Sequence, residues 1–273
     1  YNGYIGWQAA CRLPNYLDSY NYATLLNEAY RNDGSNAPFQ DTDLEKIRLG
    51  NDPDHFANSN QVNALLSESG LFHNHHLSVI GGNEGIRYSL TAGFHKKDGL
   101  IPNVSYNRFN IRSNVDAKIN NRLDVALNIS ASRDDRMAPA TSTVNDPDTD
   151  MYYIMYHAFR ETPVTPIQFS NGNYGLFLNE HNSVAEARNS GVSHVYNNNF
   201  QGNASFVYKI MDGLNLRGNA AATYYLKDTH VFQKKMNFYT ADSEDPIKSS
   251  RSQVKNIDKK SLELNLQAYL DYD

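Results

Sequence analysis

Apolar and polar side chains alternate over an unusually long stretch between residues 105 and 132. Because successive side chains of a β-strand point to opposite faces, this period of two predicts strands. The Asn120-Asn121 pair interrupts the alternation and predicts a tight antiparallel turn. Each of the two strands is about twice as long as the five or six residues of an ordinary strand. The apolar positions are Phe109, Ile111, Val115, Ala117, Ile119, Leu123, Val125, Leu127, Ile129 and Ala131.

The same alternation predicts strands in six other parts of the chain. They lie at about 1–8, 71–80, 86–97, 200–208, 214–222 and 262–270. The total is about eight strands, and the fold class is all-β, an antiparallel up-and-down meander. Helical spacing of apolar residues predicts short helices inside the connections, over 19–32, 41–50 and 151–160.

The predicted connections alternate between long and short. Long loops cover about 10–70, 134–196 and 229–257, and a medium loop covers 96–105. Short turns lie at 81–85, 120–121 and 211–213, where Gly and Asn are frequent. Alternate connections of a meander lie at the same end of the sheet, so all the short turns share one end. Outer-membrane β-barrels have this arrangement, with short periplasmic turns and long extracellular loops.

Two interpretations of the strand faces remain open. In a barrel the apolar face meets lipid and the polar face lines a watery lumen, whereas in a soluble β-domain the apolar face packs into a protein core. On the barrel interpretation, five charged residues of the predicted strands face the lumen. These residues are Arg87, Arg108, Arg112, Asp116 and Lys118.

Composition narrows the possible partners. The net charge is −5 and the pI is about 6.0, which argues against a nucleic-acid partner. The mean hydropathy is −0.63, and no apolar run approaches the roughly 20 residues of a membrane helix. That criterion does not detect barrel strands, whose alternation averages to polar. The single cysteine, Cys11, excludes an intrachain disulfide framework.

Several stretches, taken in order, resemble the early barrel of the SusC/RagA family of TonB-linked outer-membrane transporters. They are "YNGYIGWQ", "HNHHLSVIGGNEGIRYSLTAGFHKKDGLI", "YNRFNIRSNVDAKI", "NGNYG" and "YKIMDGLNLRGNAA". The matching elements include Gly81-Gly82, Arg87-Tyr88, Asp98-Gly99, the Tyr106/Arg108 pair and Arg112-Ser113-Asn114. The likeness covers nearly the whole chain, although each single stretch is only weakly specific.

This resemblance implies a barrel of about 22 strands with a plugged lumen. It also implies an importer in the bacterial outer membrane, energised by the TonB complex and covered by a SusD-like surface lipoprotein. Glycan oligosaccharides are the expected cargo, with peptides as an alternative. No signal sequence, TonB box, plug domain or terminal aromatic strand is recognised, so residues 1–273 are expected to form part of the barrel.

Four tyrosines of the long loops are candidate substrate contacts. Tyr152, Tyr153 and Tyr156 lie on the helix predicted at 151–160, and Tyr174 follows in "NGNYG". Aromatic faces stack on sugar rings and leave a hydroxyl free for hydrogen bonding. The alternative is that these rings only pack the loops together.

Candidate metal sites are weak. His73 and His75 share a strand face with Leu77 and are interpreted as interfacial or loop histidines. "DPDTD" (146–150) begins like a calcium loop, but Met151 and His157 replace the required Gly and Glu. No cofactor or metal is therefore predicted, while loop calcium in another geometry stays open.

The sequence contains no catalytic constellation. Asp134 and Asp135 are adjacent but are flanked by Arg133 and Arg136, and no nucleophile motif or phosphate loop is present. The chain is thus expected not to be an enzyme. The first hypothesis for its function is a nutrient importer, and the alternative is a soluble or surface-exposed glycan-binding or adhesive β-domain.

Overall fold

One eight-stranded antiparallel sheet dominates the chain, and a cap of helices and loops covers one end of it. The computed structural model describes residues 1–141, 147–177 and 180–272, with only the backbone of 147–149. The sheet has the order β1-β2-β3-β4-β5-β6-β7-β10, so neighbours in the chain are neighbours in space. Its strands are β1 (Asn2–Gln8), β2 (Gly70–Gly82), β3 (Ile86–Asp98), β4 (Ser105–Asn120), β5 (Leu123–Pro139), β6 (Gly191–Met211), β7 (Leu214–Gln233) and β10 (Gln253–Tyr272), while β8 (Asn237–Phe238) and β9 (Lys248–Ser249) pair separately.

Five helices lie in the long connections: α1 (Ser19–Asn32), α2 (Asp41–Leu49), α3 (Gln61–Leu65), α4 (Pro147–Arg160) and α5 (Ser183–Asn189). The sequence predicted α1, α2 and α4. It missed α3 and α5, which have five and seven residues and are too short to show a helical period. Asn60 and Asn182 begin these two helices, since their side chains accept hydrogen bonds from backbone amides of the first turn.

Strand register confirms the predicted antiparallel meander. Phe94 of β3 is opposite Phe109 of β4, and Val115 of β4 is opposite Leu127 of β5. Residues opposite each other on neighbouring strands point to the same side of the sheet, and the apolar side of each strand is next to the apolar side of its neighbour. The apolar sides of all eight strands therefore form one continuous band. This band leaves many of its large side chains exposed, including Leu264 and Leu266 at 65% and 79%.

The three short turns lie together at the end of the sheet away from the cap. They consist of residues 83–85, 121–122 and 212–213. The Asn83 side chain accepts hydrogen bonds from the Gly85 and Ile86 amides. Gly213 has a φ of 81°, a conformation that favours glycine. Local turn chemistry thus fixes the register of each hairpin.

At the opposite end, all the longer connections pack against each other. Val62 and Leu65 of α3, Ile154 of α4 and Val184 of α5 share one buried cluster with Ile101, which lies between β3 and β4. A second cluster brings Ala185 against Met236 and Phe238 of the connection between β7 and β10. The buried apolar core of the described residues therefore lies in this cap rather than against the apolar band of the sheet.

The predicted boundaries of two long loops were wrong. The strands on either side of these loops continue beyond the residues in which the sequence alternates. The second long connection spans 140–190 instead of 134–196, and the third spans 234–252 instead of 229–257. Residues 134–139, which begin with charged side chains, and residues 191–196 were interpreted as loop. In the structure Arg133 is opposite Asn198, and Asp135 is opposite Tyr196, so the backbone ladder is unbroken. The first connection spans 9–69.

Candidate functional site

The five charged residues predicted to face a lumen lie on one face of the sheet, opposite the apolar band. Arg87 of β3 is opposite Asp116 of β4, and Lys118 of β4 is opposite Asp124 of β5. The Arg108 guanidinium lies 3.5 Å from the Asp134 carboxylate. The strand register therefore collects these groups into one polar surface, called here the polar face.

Asparagine, serine, threonine and glutamine fill the centre of the polar face around Arg112. Two depressions of about 430 and 450 Å3 open there, and Arg112, Ser130 and Gln201 line both. The sequence prediction did not name the partners from β6, although polar residues occur at every second position there. These partners are Asn197, Asn199, Gln201, Asn203 and Ser205.

Three of the four candidate tyrosines form an exposed cluster on α4. The Tyr152 ring stacks on Tyr156 with the centroids 5.9 Å apart, and it meets Tyr153 edge-on at 5.6 Å. Arg160 lies over the Tyr156 ring at 4.7 Å and donates a hydrogen bond to its hydroxyl. Tyr152 is 63% exposed, since Ile154 and Ala158 supply the buried side of the helix. The helix thus presents an open aromatic surface.

Tyr174 is separate from this cluster. Its side chain is half-buried and packs against the cluster of Met236 and Phe238. Its backbone carbonyl accepts a hydrogen bond from the Tyr239 amide at 3.0 Å. This position corresponds to the packing alternative, and whether any of the four tyrosines contacts substrate stays a prediction.

A buried histidine pair lies beneath the tyrosines. The His157 ring stacks on His181 at 4.0 Å, and His181 Nδ1 lies 2.8 Å from the Glu186 carboxylate. Burial, reinforced by nearby His181 and Arg160, lowers the pKa of His157 from 6.5 to about 4. His157 is therefore neutral at physiological pH and stabilises the cap by packing.

A further histidine of the cap, His55, joins the first and last long connections. His55 Nδ1 lies 2.7 Å from Asp52, and its Nε2 lies 3.2 Å from Asp242. Hydrogen bonds to Asp52 and Asp242 raise the pKa of His55 above its ordinary value. In its protonated form the imidazole donates to both carboxylates and so joins the two connections.

The described residues contain no group of three or more His, Cys, Asp or Glu side chains arranged to bind a metal. The ring centroids of His73 and His75 lie 5.1 Å apart on the apolar side of the sheet. His75 stacks on Phe94, and the tilted His73 ring also contacts Phe94, so the three rings form an aromatic cluster. Of the candidate calcium loop, Asp146 and the side chains of 147–149 lie outside the described residues. No helix in the described part of the chain is long and apolar enough to cross a membrane.

Sequence comparison finds similar curated proteins. The chain is 25% identical over 155 residues to TonB-dependent receptor P3 of Formosa agariphila, which covers 55% of the chain and 15% of the receptor. It is 22% identical over 176 residues to TonB-dependent receptor P26 of the same organism, which covers 64% of the chain and 16% of that receptor. No protein-family model matches the chain.

Structural comparison extends the likeness over almost the full sheet. A chain of the RagAB peptide importer in its closed-closed state superimposes with a TM-score of 0.69 at 15% identity, over 99% of this chain and 32% of that one. The RagAB peptide transporter gives a TM-score of 0.67 with the same identity and coverage. The fold is that of a segment of a TonB-dependent transporter barrel.

This likeness confirms the resemblance predicted from the sequence and the fold class. The relatives are receptors and transporters, in agreement with the expectation that the chain is not an enzyme. The chain spans 15% and 16% of the length of the two curated receptors and about a third of the RagAB chain.

Proposed function

We propose that this chain is part of the wall of an outer-membrane β-barrel that imports nutrient in a TonB-dependent way. One observation carries the proposal: large apolar side chains cover one side of the sheet without protein packed over them, while the other side carries Arg87, Arg108 and Arg112. In water, an apolar surface of this extent would promote aggregation. In an outer-membrane barrel it meets lipid, and the polar face lines the lumen.

The distribution of connections supports the same orientation. Short turns occupy one end of the sheet, and the cap, built from the described parts of 9–69, 99–104, 140–190 and 234–252, occupies the other. In outer-membrane barrels the short turns are periplasmic and the long loops are extracellular. The α4 tyrosines would then lie at the cell surface, where cargo enters.

The proposed cargo is an oligomeric nutrient taken up together with a SusD-like surface lipoprotein. The family resemblance favours glycan oligosaccharides, and the similar RagAB structures are of a peptide importer. The exposed Tyr152, Tyr153 and Tyr156 suit sugar rings because aromatic faces stack on apolar ring surfaces. No observation favours the alternative of a soluble adhesive domain, since the buried core lies in the cap and not against the strands.

Site-specific labelling of the full-length parent protein tests the lipid assignment. Leu264→Cys and Glu263→Cys place a fluorophore on adjacent residues that point to opposite sides of β10, in a Cys11→Ser background. Spin-labelled lipid should quench the label at 264, and aqueous iodide should quench the label at 263. Equal quenching at the two positions would contradict the barrel.

Substrate contact by α4 has its own test. Tyr152→Ala should weaken binding of a glycan oligomer by roughly twofold to tenfold, the range expected for one aromatic stacking contact. Tyr20→Ala is the matched control, because Tyr20 is an exposed tyrosine on another helix of the cap. If the two variants have the same affinity as the wild type, the tyrosines have no part in binding.

A further inference from the structure

Four basic residues of the polar face have an aspartate beside them on the adjacent strand. Arg108 lies 3.5 Å from Asp134, and the Arg217 guanidinium lies 2.8 Å from Asp271. Arg87 and Lys118 are also opposite aspartates in the strand register. These pairs leave little net charge at their positions.

Arg112 is different. Its register neighbours are Thr91 on β3 and Ser130 on β5, and Gln201 follows on β6. The alternate positions on its own strand, Asn110 and Asn114, are also neutral. Among the residues that the structure describes, no carboxylate forms an ion pair with Arg112. Arg112 thus carries an uncompensated positive charge at the centre of the polar face, four residues along β4 from the paired Arg108.

The surroundings of Arg112 have the form of a binding site. Both depressions of the polar face are lined by this side chain, and Asn199 lines the first of them. The Asn199 Oδ1 atom is buried without a hydrogen-bond partner in the described structure. A buried acceptor of this kind is unfavourable unless a donor reaches it. The site therefore combines a cation with an unused acceptor.

We propose that Arg112 binds a carboxylate of the imported molecule and that the Asn199 amide, turned towards the depression, accepts a hydrogen bond from the same molecule. The planar guanidinium donates two parallel hydrogen bonds to a carboxylate, a geometry that gives both strength and specificity. This inference rests on the proposed function, in which the polar face lines the lumen. It identifies the cargo as an anionic oligomer, either an acidic peptide or a uronic-acid oligosaccharide.

Equilibrium binding to the purified full-length parent protein tests the inference. The probes are tetraglutamate, tetraglutamine, tetragalacturonate and the neutral galactotetraose, so that charge varies at constant size within a peptide pair and a sugar pair. The wild type should bind at least one acidic probe more tightly than its neutral counterpart. The pair that shows the difference identifies the source of the carboxylate.

Substitutions then locate the charge effect. Arg112→Gln should weaken binding of the acidic probe by about tenfold to a hundredfold, the range for loss of a hydrogen bond to a charged group, and leave the neutral probe unchanged. Arg112→Lys should retain part of the affinity. Arg217→Gln is the control, because its charge is already paired with Asp271 and it lines neither depression.

Three results would overturn the inference: no acidic probe binds in preference to its neutral counterpart, Arg112→Gln binds the acidic probe as the wild type does, or Arg112→Gln lowers the melting temperature while leaving affinity intact. The last result would mean that the parent protein supplies the carboxylate itself. None of these results affects the lipid and iodide quenching at 263 and 264, so failure of the site is distinguishable from failure of the proposed function.

Discussion

A charge introduced at Leu127 tests which face of the sheet meets lipid. Leu127 lies midway along the apolar positions of β5, which run from Leu123 to Ala131. Each half of that stretch is about 13 Å long at roughly 3.3 Å per residue. With a strand tilt of about 40°, it rises about 10 Å along the membrane normal. Leu127 is therefore close to the midplane of an apolar band about 25 Å tall.

At that depth an arginine on the lipid side is costly. Leu127→Arg should lower the free energy of unfolding by about 2–4 kcal/mol. This corresponds to a roughly thirtyfold to nearly thousandfold smaller folded-to-unfolded ratio. Asn128→Arg is the matched control, because Asn128 is the next residue, points to the polar face and has Asn114 and Asn203 opposite it. Its expected effect is within about 0.5 kcal/mol.

The assay is reversible guanidinium unfolding of the full-length parent protein in lipid vesicles, followed by the mobility difference between folded and unfolded barrel on a gel. The midpoint for Leu127→Arg should fall well below that of the wild type, and the midpoint for Asn128→Arg should stay near it. Equal losses for the two variants would refute the assignment of faces. A larger loss for Asn128→Arg would reverse it.

Three further outcomes are expected. Because the pKa of His157 is about 4 in the folded cap and about 6.5 when exposed, the cap should lose stability as the pH falls from about 6.5 to 4. The loss should be measurable as faster hydrogen exchange of the α4 amides, and His157→Phe should reduce it. Since the pKa of His55 is raised, its contact with Asp242 should be strongest below about pH 6.5 and be lost as the pH rises through the raised value. Asp242→Asn should reduce that dependence, measured as exchange in 234–252, and leave the part that is due to Asp52. Gly191→Ala should lower the free energy of unfolding by about 1–3 kcal/mol in chemical unfolding, because Gly191 has a φ of 96° and an added Cβ would collide with a backbone carbonyl. Gly202→Ala is the control, since a Cβ there meets nothing within 4 Å. Equal losses for the two variants would contradict this explanation.

The strands and their faces were predictable because the signals are local. Alternation from Tyr106 to Ala131 defines both sides of β4 and β5, and the Asn120-Asn121 pair marks the turn between them. The full lengths of β6, β7 and β10 were not predictable in this way. The first half of β10, "QVKNIDKKS", has its two apolar residues, Val254 and Ile257, on opposite faces, so it shows no alternation.

The candidate site was predictable only in part. The sequence predicted that Arg108 and Arg112 lie on the same side of β4, because every second residue of a strand points to the same face. The ion pair of Arg108 with Asp134, and the lack of such a partner for Arg112, depend on register between strands that are distant in sequence. The contact of His157 with His181 likewise depends on two segments that meet only in the folded cap.

The unequal lengths of the strands have a consequence for access. β2 and β3 have 13 residues each, whereas β6 has 21 and β7 and β10 have 20. All of them start from the same level of short turns, and a tilted strand needs only about ten residues to cross the membrane. The mouth of the proposed barrel is therefore a slope, low beside β2 and raised by about 20 Å beside β6.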